Sequence, residues 1–175
     1  MYAAFPFVIF FIGAAVLSAV PAAADDALLL GVSKDWTAYS SGSGADKTCY
    51  AMSKPRSTDP KKLKRDAAYF LITDWPSRKT RSEPEAVPGF QYKDGSTVTA
   101  QVGGASFEFF TQNDGSAGAA WIRKRADEIK LVEAMKTGQS LVVSGTSKRG
   151  KVVKDTYSLA GLQDALDAIH KACGM

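Results

Sequence analysis

Charge is absent from the first 24 residues of this 175-residue chain: no Asp, Glu, Lys or Arg precedes Asp25. Histidine occurs once, at His170, and cysteine twice, at Cys49 and Cys173. These scarcities limit the chemistry. A Ser/His/Asp or Cys/His mechanism would have to run through His170. The two thiols and one imidazole lack the close ligand spacing of zinc sites. No metal and no cofactor is therefore expected.

The charge-free opening is an apolar run, FPFVIFFIGAAVLSAV, broken by Pro6 and Gly13. Ala22-Ala23-Ala24 then supplies the small-x-small pattern that signal peptidase accepts. The reading is a cleaved signal peptide over residues 1–24 and a single mature domain over residues 25–175. The rival reading is a retained anchor, because the opening MYAA has no Lys or Arg. Residues 5–20 are short for a span of about 20 residues, however, and the Ala-rich exit suits cleavage better. Once the leader is removed, no stable membrane span is expected. The expected location is the periplasm, with outer-membrane association or secretion as variants.

All 22 Lys and Arg and all 18 Asp and Glu lie beyond the leader, giving a formal net charge of +4. That permits contact with anionic surfaces without demanding it. Nucleic acid is not expected as a partner of an exported chain. In an oxidising compartment, two cysteines are most simply one disulfide, Cys49 to Cys173. Two separate buried thiols are the alternative.

Strand signals dominate the mature chain. DWTAYS (35–40) and KTCYAMS (47–53) alternate around the turn SGSGAD. AAYFLITDW (67–75) is more continuously apolar and is expected to be buried on both faces. PSRKTRSEPEAVPG (76–89), with three prolines among charges, reads as a long surface loop. STVTAQV (96–102) and ASFEFFTQ (105–112) flank Gly103-Gly104 and predict a tight hairpin. AAWI (119–122) reads as a short strand.

Two segments carry helical spacing instead. ADEIKLVEAMKTG (126–138) has Asp127 and Glu128 at its start, Lys136 near its end and Gly138 after it. GLQDALDAIHKAC (161–173) lines up Leu162, Ala165, Leu166, Ile169 and Cys173 on one stripe. Between the helices, QSLVVSGT (139–146) and KVVKDTYS (151–158) alternate around SKRG. Val153, Asp155 and Tyr157 share one face of the second strand. The expected fold is mainly β: an antiparallel β-sandwich or flattened barrel of about eight or nine strands with two short α-helices. Its core is expected to include Trp36, Tyr69, Leu71, Val98, Phe107, Phe109, Trp121, Leu131 and Leu166.

Taken in order, W36, KTCYAMS (47–53), RDAAYFLIT (65–73), W121, LVEAMKTGQSLVVSGTSKRG and DTYSLAGLQDALDAIHKAC resemble the invasion-associated locus B family of exported alphaproteobacterial proteins. The most specific parts are AMKTG…SGTSKRG and DTYSLAGL…AL…C. The resemblance implies a mainly β, periplasmic or surface-associated protein, and in pathogenic members a part in host-cell invasion and virulence. It brings no catalytic residues with it. SRKTRSEPEAVPG and KVVK depart from the family pattern, so a partner preference seated there would belong to this chain.

Few motifs point to chemistry. His170 sits one position from the inward stripe of the last helix and reads as a partly exposed residue near the negative end of the helix dipole. Lys136-Thr137-Gly138 spells a β-lactamase motif, but the partner motifs are missing and a helix terminus explains it. Asp127, Glu128 and Glu133 share a helix, where adjacent Asp127 and Glu128 diverge and cannot converge on one bond. Four basic clusters remain: Lys61, Lys62, Lys64, Arg65; Arg78, Lys79, Arg81; Arg123, Lys124, Arg125; and Lys148, Arg149, Lys151. The bland reading is solvated tips that protect sheet edges. The sharper reading makes Lys148, Arg149 and Lys151 a contact for an unidentified protein or an anionic envelope component.

Overall fold

Alternating side chains and short turns build most of the sheet. The computed structural model describes residues 27–175, so the expected leader lies outside the described residues. β1 (Leu28–Ser33), β2 (Trp36–Ser41) and β3 (Thr48–Ser53) are followed by β4 (Ser57–Asp59), β5 (Tyr69–Trp75) and β6 (Thr80–Val87). Next come β7 (Thr97–Val102), β8 (Ala105–Asp114) and β9 (Ala117–Trp121). Helix α1 (Arg125–Thr137), β10 (Ser140–Thr146), β11 (Val152–Ser158) and helix α2 (Leu162–Cys173) complete the chain. The β7–β8 hairpin pairs Val102 with Ala105. Its two-residue loop places Gly103 at φ +56°, a conformation that costs glycine little.

The strands form one antiparallel sheet in the order β1-β2-β3-β5-β6-β9-β8-β7-β10-β11-β4. The sheet is strongly rolled. β5 and β11 stand six places apart in that order, which in a flat sheet is about 29 Å. Yet the Phe70 and Tyr157 rings lie 5.8 Å apart. Trp36 Nε1, on β2, also donates to the Ser158 carbonyl at 3.0 Å. The result is a flattened barrel closed by side chains, with β1 and β4 as its edges. Inside lie Trp36, Phe70, Ile72, Phe109, Leu141 and Tyr157, all essentially inaccessible to solvent.

α2 packs against β1, β2, β3 and β5, and its buried stripe is Leu162, Ala165, Leu166 and Ile169. α1 packs against β6, β7 and β8 and touches α2, contributing Leu131, Val132 and Met135 to the core. Cys49 and Cys173 are bonded, with Cα atoms 6.0 Å apart across a sequence separation of 124. The bond ties the last helix to the third strand. Gly161 shows why the entry to α2 is glycine: at φ +90°, a Cβ there would lie 2.0 Å from the Ser33 carbonyl oxygen.

Three expectations are corrected. Residues 76–89 are not a long loop; they contain a short 3-10 turn at Pro76–Arg78 and then β6. Ser82, Pro84 and Ala86 alternate inward, a period of two disguised by small and charged side chains. Pro84 lies just beyond the two-residue ladder between β6 and β9, so its missing N–H breaks no pairing on that side. Tyr69, Leu71 and Trp121 are not core residues. Phe70, Ile72, Ala120 and Ile122 take the inner face, and their neighbours turn outward half-buried. A continuous apolar run does not reveal which parity is inside. Finally, eleven strands form among the described residues rather than eight or nine, because β1, β4 and β6 carried weak or masked signals.

Candidate functional site

The basic tip predicted from SKRG is built by the β10–β11 hairpin, which pairs Thr146 with Val152. Ser147 N–H donates to the Lys151 carbonyl, and Gly150 N–H to the Ser147 carbonyl. Gly150 adopts φ +79°, and Lys148 N–H is held by the Gln91 carbonyl. The backbone is thus fixed. The side chains of Lys148, Arg149 and Lys151 stand exposed together. They form a small cationic knob suited to attracting an anionic group.

The other basic clusters do not all behave as solvated tips. Arg65 is buried, with its side chain 8% exposed, and it holds Asp155, which is 6% exposed. Its two terminal nitrogens meet the two carboxylate oxygens at 2.5 and 2.7 Å. Arg65 also donates to the Pro88 carbonyl and to Thr58 Oγ1, and Thr58 in turn donates to Asp155. Burial, with Asp155 adding to it, pushes the Tyr92 and Tyr157 hydroxyls far above the usual phenol range. The sequence carried one hint: Asp155 is in phase with Val153 and Tyr157 on the inward face, where a carboxylate needs a partner. In α1, Glu128 is buried rather than solvated, and Arg125 pairs with it at 2.7 Å.

His170 is likewise buried, at 8% exposure. Its spacing of four from Leu166 and eight from Leu162 was the available signal. The bulge between β5 and β6 explains its company. Arg81 and Ser82 together face Asp74, and Ser82 sits at φ +57°. Ser82 Oγ lies 2.9 Å from His170 Nε2, and Asp74 Oδ1 lies 3.7 Å from the same nitrogen. Asp74 is fully buried; its Oδ1 accepts the Ser82 backbone N–H, and its Oδ2 has no hydrogen-bond partner. Burial raises the Asp74 carboxyl above the usual range.

Serine, histidine and aspartate thus meet, a juxtaposition no sequence spacing revealed. Their protons are arranged against nucleophilic catalysis. The Arg81 guanidinium lies 2.8 Å from His170 Nδ1. Guanidinium has only donors, so Nδ1 must accept. The ring proton then sits on Nε2, which donates to Ser82 and has no lone pair to take the serine proton. A working triad needs the opposite tautomer, with the carboxylate on Nδ1. Burial, then the charges of Arg81 and Lys136, lower the His170 pKa to about 4. The ring is neutral at physiological pH.

The model of the invasion associated locus B (IalB) protein family matches residues 36–170. The chain belongs to the invasion-associated locus B family. The crystal structure of invasion associated protein B from Bartonella henselae superposes with a TM-score of 0.57 at 14% identity, covering 85% of this chain and 99% of that one. At that identity the likeness is one of fold. No curated protein matches the chain. The family match runs from Trp36, which opens β2, to His170 near the end of α2, so it takes in the basic hairpin and the buried histidine alike.

Proposed function

We propose that this member of the invasion-associated locus B family is exported and non-catalytic, acting in the periplasm or at the cell surface through contacts made by its exterior. The observation that carries the reading is the geometry at His170: the Arg81 guanidinium, a donor only, lies 2.8 Å from Nδ1 and Ser82 Oγ 2.9 Å from Nε2, which assigns the ring proton of the chain's one histidine to Nε2. The signal-like leader over residues 1–24 and the Cys49–Cys173 bond support an oxidising compartment. Invasion is the association named for the family and for the Bartonella neighbour. In this chain the corresponding act is engagement of a protein or an anionic envelope component, with Lys148, Arg149 and Lys151 as the contact.

Cross-linking in intact cells tests the reading. The expected result is capture of an extracytoplasmic partner by the parent protein and its loss when Lys148 and Arg149 are both changed to Glu. A hydrolytic turnover abolished by Ser82→Ala or His170→Gln would overturn it.

A further inference from the structure

The outer face of the rolled sheet carries a row of side chains that neither the basic tip nor the histidine cluster uses. Strand register sets Met52, Leu71, Glu85, Trp121, Phe110 and Thr97 side by side across β3, β5, β6, β9, β8 and β7. Five strand spacings give the row a length of about 24 Å. Next to it, Tyr39 and Tyr50 stack with ring centroids 5.3 Å apart. Apart from Thr97, which is exposed, these side chains are half-buried.

The chemistry of this face repeats. Trp75 Nε1 donates to Glu83 at 2.8 Å, and Trp121 stands directly across the strand pair from Glu85. The Arg78 guanidinium lies 4.0 Å from the Trp75 ring centre, and Arg123 lies 4.2 Å from that of Phe110. Phe110 and Trp121 are themselves 5.9 Å apart. Trp75 thus has one carboxylate and one guanidinium beside it, and the Phe110–Trp121 pair has Glu85 beside one ring and Arg123 over the other. A cleft of about 360 Å³ opens at the Phe110 and Arg123 end, and one of about 550 Å³ at the Tyr39 and Met52 end.

The interleaved charges select the occupant. The core of a protein–protein interface is depleted of charge, whereas here Glu85 stands in the middle of the row. A polyanion or an anionic bilayer would meet Glu83, Glu85 and Glu108 as well as the arginines. A sugar hydroxyl both donates and accepts, so it satisfies carboxylate and guanidinium alike. The C–H face of a sugar ring covers an aromatic ring. A length of about 24 Å suits a chain of several sugars laid across the strands.

We propose that this face binds an uncharged, hydroxyl-rich glycan chain. The proposal goes beyond the surface-contact reading above: it adds a second site, apart from the basic tip, with its own ligand class. The test is electrophoresis of the folded protein through native gels cast with a β-glucan, a mannan or a galactan, and a parallel gel cast with a polyuronate. Retardation is expected in at least one neutral gel, at least tenfold weaker for Trp121→Ala and largely kept by Trp121→Phe. Arg123→Ala provides the same test if Trp121→Ala fails to fold. Because Trp36 is fully buried, a change in tryptophan emission on adding the same glycan reports on Trp75 and Trp121. No retardation in any neutral gel, equal retardation of parent and Trp121→Ala, or retardation by the polyuronate alone overturns the glycan site. Any of these outcomes in a protein that still captures an extracytoplasmic partner leaves the surface-contact reading standing; a protein found only in the cytosol removes both.

Discussion

Arg65 grips both carboxylate oxygens of Asp155 from inside the rolled sheet, at 2.5 and 2.7 Å. The pair joins the segment before β5 to β11, six strands away in the sheet. Removing one partner leaves the other charge buried and unpaired, which costs about 3–5 kcal/mol. Arg65→Met is therefore expected to lower stability by that amount in urea denaturation. Adding Asp155→Leu to it is expected to restore part of the loss, since the stranded carboxylate disappears. A single variant as stable as the parent contradicts the pair's structural role.

The Cys49–Cys173 bond constrains nearly the whole domain in its unfolded state. For a separation of 124 residues, loop entropy gives about 5 kcal/mol. Replacing both cysteines by serine is expected to lower Tm by on the order of 10–20 °C, as read by circular dichroism. A shift of only a degree or two would show that α2 is held in place by its apolar stripe alone.

His170 gives stability an acid-side slope. Its folded pKa of about 4 lies below the ordinary 6.5. Between those values the unfolded chain takes up the proton more readily, so stability falls as pH drops from 6.5 toward 4. Above 6.5 the ring is neutral in both states and the slope vanishes. Asp74, raised in the folded protein, works in the opposite direction above its ordinary 3.8. His170→Gln is expected to flatten the fall in Tm across pH 6.5 to 4 relative to the parent. Identical profiles would show that the histidine is not buried as described.

The basic tip should separate binding from stability. Lys148 and Arg149 are exposed on a turn whose backbone bonds do not involve their side chains. Changing both to Glu is expected to leave stability within about 0.5 kcal/mol of the parent while abolishing envelope or host-cell association. Unchanged association removes this tip as the contact.

Much of the fold was legible because alternation, helical spacing and Gly103-Gly104 each have a direct geometric meaning. Both helices and the β7–β8 and β10–β11 hairpins appear where the pattern puts them. β6 was hidden because its inward residues, Ser82, Pro84 and Ala86, carry little hydrophobic signal while its outward ones are charged. Parity failed in β5, where apolar residues occupy both faces. The exposed tip could be read from local sequence. The meetings of Arg65 with Asp155 and of Ser82 with His170 could not, since each depends on how distant elements come together when the sheet rolls.

The central claim is an exported, oxidised domain that acts through its exterior. Alkylation of free thiols in whole cells, followed by fractionation and mass analysis of the protein, tests it most directly. The account predicts a chain beginning at Asp25 in the envelope or periplasmic fraction, with Cys49 and Cys173 both unmodified until a reductant is added. Full-length protein in the cytosol with both thiols alkylated would contradict it.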